Sequence, residues 1–257
     1  MIEQTVITVA ILLLSVALQS VVGFGLGMVA IPLLLGQGLS LSHSVFLGLS
    51  VSLFSSLVAW RRMGDELPWR TSAIASGYRV VGLLPGLALA HASASFSPGA
   101  LKGLIGLVVG LGVVAQLCKM RGGGETLPMG TPPSPRLAPL AFLCSGVLTG
   151  WLGMGGPPLV FWQLTGRASA KETRGFLFGV YVFTLPCQLA FMLWADPAGI
   201  SSLFPVLLLS LPLTWLVSDA TLEIGDRMSI GRLQWFSLAF LALLALRSMA
   251  DWALTIA

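Results

Sequence analysis

The sequence predicts an all-α integral membrane protein. It is expected to hold two inverted four-segment repeats, each a re-entrant or broken helical hairpin plus three transmembrane helices. Three observations carry this prediction. Of 257 residues, 56% are hydrophobic and only 9% charged, with mean hydropathy +0.91. A soluble domain carries about 25% charged residues, so most of this surface must face lipid. A glycine signature occurs twice, as GFGLGMVAIP at 23–32 and GWLGMGGPP at 150–158. A polar, Gly/Pro-rich joint, KMRGGGETLPMGTPPSPR at 119–136, separates the two copies.

The elements follow in chain order. The opening MIEQTVITVAILLLSVALQS has no Lys or Arg before its apolar run and no A-x-A site. It is expected to be retained rather than cleaved as a signal peptide. The stretch 5–36 contains the first break. As one helix it would reach about 48 Å at ~1.5 Å per residue, more than a ~30 Å hydrocarbon core. It must bend, break or re-enter. Apolar segments at 43–60, 70–91 and 99–118 complete the first repeat, 1–118. Residues 119–136 form a linker that cannot be a membrane helix. The stretch 137–165 contains the second break, and 172–194, 200–218 and 231–250 complete the second repeat, 137–257. Trp60, Trp69, Trp194 and Trp252 fall at segment ends, where headgroup anchors belong.

The halves match in register. Leu26-Gly27-Met28 and Pro32 pair with Leu152-Gly153-Met154 and Pro158 at an offset of 126, as Gln37 does with Gln163. Leu84-Pro85 pairs with Leu211-Pro212 at 127, and Lys102 with Arg232 at 130. Several ordered matches at nearly one offset point to duplication.

Charge sets the topology, because cytoplasmic loops concentrate Lys and Arg. If all eight segments crossed, the twelve loop cations would divide six and six, with Arg61, Arg62, Arg70, Lys119, Arg121 and Arg136 on one side and Lys102, Arg167, Lys171, Arg174, Arg227 and Arg232 on the other. If 5–36 and 137–165 are hairpins, each half crosses three times and the halves are inverted. Eleven of the twelve then share one side, leaving Lys102 alone on the other. The linker is therefore expected in the cytoplasm and both termini outside, in a multi-pass protein of the inner (plasma) membrane.

Matched Gly/Pro breaks are the sequence pointer to a transporter binding site. Residues 28–36 and 157–165 read as half-helices. A helix N-terminus offers unpaired N–H groups and about +0.5 charge. Glycine lets an anion approach those amides, and Pro157 and Pro158 suit a first turn. The candidate binding residues are Gly25, Gly27 and Met28 at the first break and Gly153, Met154, Gly155 and Gly156 at the second. Gln19, Ser20, Ser145, Thr149 and Gln163 flank them, where they either donate to substrate or satisfy freed backbone. Arg79 is the one basic residue deep in an apolar run, about 15 Å in if its helix starts near Pro68-Trp69. Such residues cost ~2.5–3.5 kcal/mol on insertion scales and face a cavity or a partner. It reads as an anion partner or as a bond to helix-end carbonyls.

No carboxylate lies well inside an apolar segment, so the coupling ion is not legible. Cys118, Cys144 and Cys187 lack metal-ligand spacing and read as small packed hydrophobes. No metal, cofactor or nucleic acid is expected. The expected partners are a small anionic substrate and the lipid bilayer, with a homodimer left open.

GFGLGMVAIP, GWLGMGGPPLVF and the closing DRMSIGRLQWFSLAFLALLALRSM together resemble the sulfite exporter TauE/SafE family, also called the toluene-sulfonate uptake permease group. The resemblance covers nearly the whole chain. It implies a permease for sulfite, sulfonates or related organosulfur oxyanions, with some members linked to organic acids. The first copy departs by carrying Val29-Ala30 where the second carries Gly155-Gly156. The competing readings are an anion channel, which would use the same dipoles, and an intramembrane hydrolase, which Ser145 would need and no motif supports.

Overall fold

The computed structural model describes residues 2–64, 67–93, 131–163, 165–166 and 168–227, with scattered positions in 100–117 and 235–250. The described parts form helices and no strands. They are α1 (Ile2–Val22), α2 (Leu26–Gly36), α3 (Leu41–Met63), α4 (Trp69–Ala92), α5 (Ala138–Leu152), α6 (Gly156–Gln163), α7 (Ala170–Ala195), α8 (Pro197–Ser201) and α9 (Phe204–Arg227). Five are long and apolar enough to cross a membrane: α1, α3, α4, α7 and α9. The described positions in 100–117 and 235–250 are helical. Lys102, Lys119, Arg121, Arg167, Arg232, Cys118 and Trp252, with most of the linker, lie outside the described residues.

The surface is apolar where a soluble protein would be polar. Leu84, Leu208, Leu216 and Trp194 are 65–77% exposed on the outer helix faces. The buried faces carry both the apolar core and many hydroxyls. Short polar side chains inside bond to helix carbonyls, as Ser56 Oγ does to Ser52 O at 2.7 Å. In lipid, such bonds keep interior polar groups satisfied without water.

Both predicted breaks are present. Gly23 and Gly25 end α1 at φ +92° and +102°, and Gly153 ends α5 at φ +69°. Only glycine holds this left-handed region without strain. The α1 helix is long enough to span, and its last turn is buried in the bundle. Its Gln19 and Ser20 bond to Ser52 and Ser55 of α3. Those residues precede the end of α3 by 11 and 8 positions, roughly 12–17 Å at 1.5 Å per residue. The chain then returns through α2, and Gln4 Nε2 donates to Gln37 O at 3.4 Å across the hairpin mouth. The α5–α6 hairpin closes likewise: Ser134 N donates to Thr165 Oγ1 at 2.7 Å and Trp162 Nε1 to Ser134 O at 2.8 Å.

One end of the bundle collects the cations. Arg62, at the end of α3, pairs with Asp219 of α9 at 3.3 Å, and Arg174, near the start of α7, pairs with Asp226. Arg61, Arg70, Arg136, Lys171 and Arg227 belong to the same helix ends. The opposite ends carry His43 and His91. Ser40 and Ser169 cap α3 and α7, accepting from the N–H three residues on at 3.2 and 3.1 Å. Their offset in the sequence is 129. In the packing, α1 lies on α9 and α5 on α4, while α3 meets α9 and α4 meets α7.

Three expectations need adjustment. The segment expected at 200–218 runs on to Arg227, because its last turns are held by the ion pairs of Asp219 and Asp226. Cys144 and Cys187 are exposed on helix faces instead of packed inside. Arg174, counted among the loop cations, is a buried helical residue at 1% exposure.

Candidate functional site

Two facing glycine pairs place the second break. Gly82 and Gly86 of α4 meet Gly146 and Gly150 of α5, with Cα atoms 3.0–3.1 Å from where a Cβ would lie. Each pair is a G-x-x-x-G, the spacing that lets membrane helices approach through bare backbone. The constant offset of 64 makes α4 and α5 parallel. Their contact sets Arg79 of α4 beside Thr149 of α5.

Arg79 lies ten residues into α4 and is fully buried. Its Nη2 donates to Thr149 Oγ1 at 2.6 Å. Its Cζ sits 5.5 Å from the ring centroid of Tyr181 on α7, within cation–π range. Its Nε and Nη1 have no hydrogen-bond partner among the described residues. No carboxylate among the described residues pairs with it.

The guanidinium opens onto a cavity of ≈ 30 Å³, roughly two to three times the minimum one ordered water needs. From the first half, Gln19, Gly25, Gly27, Met28 and Arg79 line it. From the second half come Thr149, Gly153, Met154, Gly155 and Gly156. The two breaks touch, because a Cβ on Gly27 would collide with Gly153 O and one on Gly156 would lie 3.3 Å from Phe24 Cβ. The N-termini of α2 and α6 therefore meet at one wall. The first-turn N–H groups have no intrahelical acceptor: Leu26, Gly27 and Met28 in α2, and Gly156 in α6, where Pro157 and Pro158 carry none. Gly155 has no room for any side chain: its Cβ would overlap Thr149 Oγ1 and lie 2.8 Å from Arg79 Nη2.

Two predicted residues fall elsewhere. Ser20 turns to α3 and bonds to Ser55 Oγ at 3.1 Å, which also receives Ser218 at 2.9 Å. Gln163 ends α6, seven residues from Gly156, about 10 Å along the helix. Ser145 is structural, donating to Gly155 O across the break. Gln19 spans both readings, since it lines the cavity while accepting from Ser52 Oγ at 2.9 Å.

Sequence reasoning missed Ser52, Tyr181 and the apolar wall of Leu26, Leu49 and Leu185. It also missed Arg174, which does what was weighed for Arg79. Arg174 Nη1 donates to the end carbonyls of α1, Ser20 O at 3.5 Å and Val21 O at 3.4 Å. A scan for G-x-x-x-G would have found the α4–α5 seam. Nothing local distinguishes Tyr181 or Arg174.

Broken apolar helices meeting at a buried cation, inside a bundle of membrane-length helices, define a multi-pass membrane transport protein. The sulfite exporter TauE/SafE family matches residues 7–248. The chain belongs to that family and is a transporter, not an enzyme. The probable sulfite/organosulfonate exporter TauE of Cupriavidus necator (strain H16) is 28% identical over 181 residues, 68% of this chain and 67% of its own. No solved structure matches the chain.

Proposed function

We propose that the chain is a secondary transporter of small oxyanions, sulfite or organosulfonates, in the inner (plasma) membrane. The anion is held near the bilayer midplane between the N-termini of α2 and α6. The carrying observation is Arg79: fully buried, with two guanidinium nitrogens unpartnered among the described residues, beside a cavity lined by both breaks. A buried cation without a carboxylate is costly unless something neutralises it. An anion would do so and would also take the free first-turn amides. The name of the Cupriavidus necator relative, a probable sulfite/organosulfonate exporter, agrees with that chemistry.

The same reading places the two hairpins as inverted repeats. One mouth is tied by Gln4 and Gln37, near the end that carries His43. The other is tied by Ser134 and Thr165, near the end that carries Arg62 and Arg174. Hairpins entering from opposite ends suit alternating access around a fixed site. The arginine-rich end is cytoplasmic, and both termini are outside. Residues 1–118 and 137–257 are the two repeats.

Counterflow in proteoliposomes tests the function. Vesicles preloaded with sulfite or an alkanesulfonate should accumulate labelled anion transiently, and Arg79→Gln should lose this. A steady current reversing at the anion's equilibrium potential, without counterflow, would make the protein a channel.

A further inference from the structure

Tyr181 has a role that the helix-terminus account does not use. It lies one helix away from the breaks, on α7, and is 6% exposed. Its ring faces the Arg79 guanidinium at 5.5 Å. Its Oη is 3.5 Å from the place a Cβ on Gly156 would take, at the first residue of α6. It makes no hydrogen bond among the described residues, and it lines the cavity. A buried tyrosine hydroxyl usually finds a partner.

The register that brings Tyr181 there is fixed independently. Ser72 Oγ donates to Phe176 O at 3.3 Å and Ser76 Oγ to Val180 O at 3.2 Å. Both pairs share an offset of 104, so α4 and α7 run parallel and in step. One turn beyond the second bond, Arg79 and Tyr181 meet. Thr149 holds one guanidinium nitrogen from the other side. The group is thus fixed between α5 and α7, and its Nε and Nη1 have no partner among the described residues.

We propose that Tyr181 is the second arm of an anion clamp: its hydroxyl donates to an oxygen of the bound oxyanion while its ring positions Arg79. This rests on the site described above. The clamp then gathers donors from three sources: the guanidinium, the phenol and the Gly156 amide that opens α6, where Pro157 and Pro158 carry no N–H. Five carbon-rich side chains (Leu26, Met28, Leu49, Met154 and Leu185) share the cavity wall with Gln19, Ser52 and Thr149. The five offer an oxyanion no further donor.

Thermal shift of the purified protein, titrated with sodium sulfite and sodium methanesulfonate, tests this. Tyr181→Phe keeps the ring and removes the hydroxyl. It should leave the ligand-free melting temperature unchanged and weaken the apparent affinity roughly tenfold or more, as expected for a hydrogen bond to a charged group. Tyr181→Leu also removes the ring and should weaken it further. Tyr78→Phe, on the exposed side of α4, should bind as wild type. Wild-type affinity in Tyr181→Phe, with loss in Arg79→Gln, would overturn the role of Tyr181 and leave the site standing. No shift in the wild-type protein with either anion would overturn the site and this proposal together.

Discussion

At the residue scale, two positions separate binding from packing. Arg79→Gln should cut transport about 10–100-fold, the range for losing hydrogen bonds to a charged group. Arg62→Gln should change it little. Arg62 is one-third exposed and pairs with Asp219 in a screened setting. Uptake rates at matched membrane abundance decide, and equal rates would return Arg79 to a structural role. Gly155 is the second position. Gly155→Leu should abolish transport, and Gly155→Ala should already impair it, because a Cβ has no space beside Thr149 and Arg79. Val29, its match in the first half, is buried at 1% exposure. Val29→Leu should cost about 1–3 kcal/mol of stability by overpacking while transport persists. Full transport by Gly155→Leu would remove the site from the second break.

At the element scale, the α4–α5 seam and the Arg174 latch hold the hairpins. Gly146→Ala would press a Cβ onto Arg79 O and should lower the melting temperature clearly. Gly77→Ala has open space and should raise it slightly, as helical Gly-to-Ala changes gain up to ~1 kcal/mol. Equal shifts would deny the seam its role. Much of this scale was legible in the sequence. The breaks fell where GFGLGM and GWLGMGG placed them, since no other residue takes those backbone angles so cheaply. The helices α3, α4 and α7 began and ended within three residues of the apolar segments. What stayed hidden depends on neighbours far away in the chain. Arg174 reads as a loop cation until α1 ends against it. Tyr181 reads as an ordinary apolar-helix tyrosine until the α4–α7 register sets it over Arg79.

At the scale of the whole molecule, the claim is that a helical pair of opposed hairpins delivers two helix N-termini to one buried cation. The orientation has its own check. An impermeant thiol reagent on intact cells should label a cysteine added at the C-terminus and miss one at Gly123. The reverse pattern would sink the hairpin topology. The site has a more direct check. Ligands that bind only the folded state raise the melting temperature with concentration. The purified protein should be titrated with sulfite, an alkanesulfonate and a carboxylate, each as sodium and choline salts against matched chlorides. The account predicts a rise that follows the oxyanion, ignores the cation and disappears in Arg79→Gln. A rise that follows the cation, or persists undiminished in Arg79→Gln, would contradict an oxyanion bound between the two breaks.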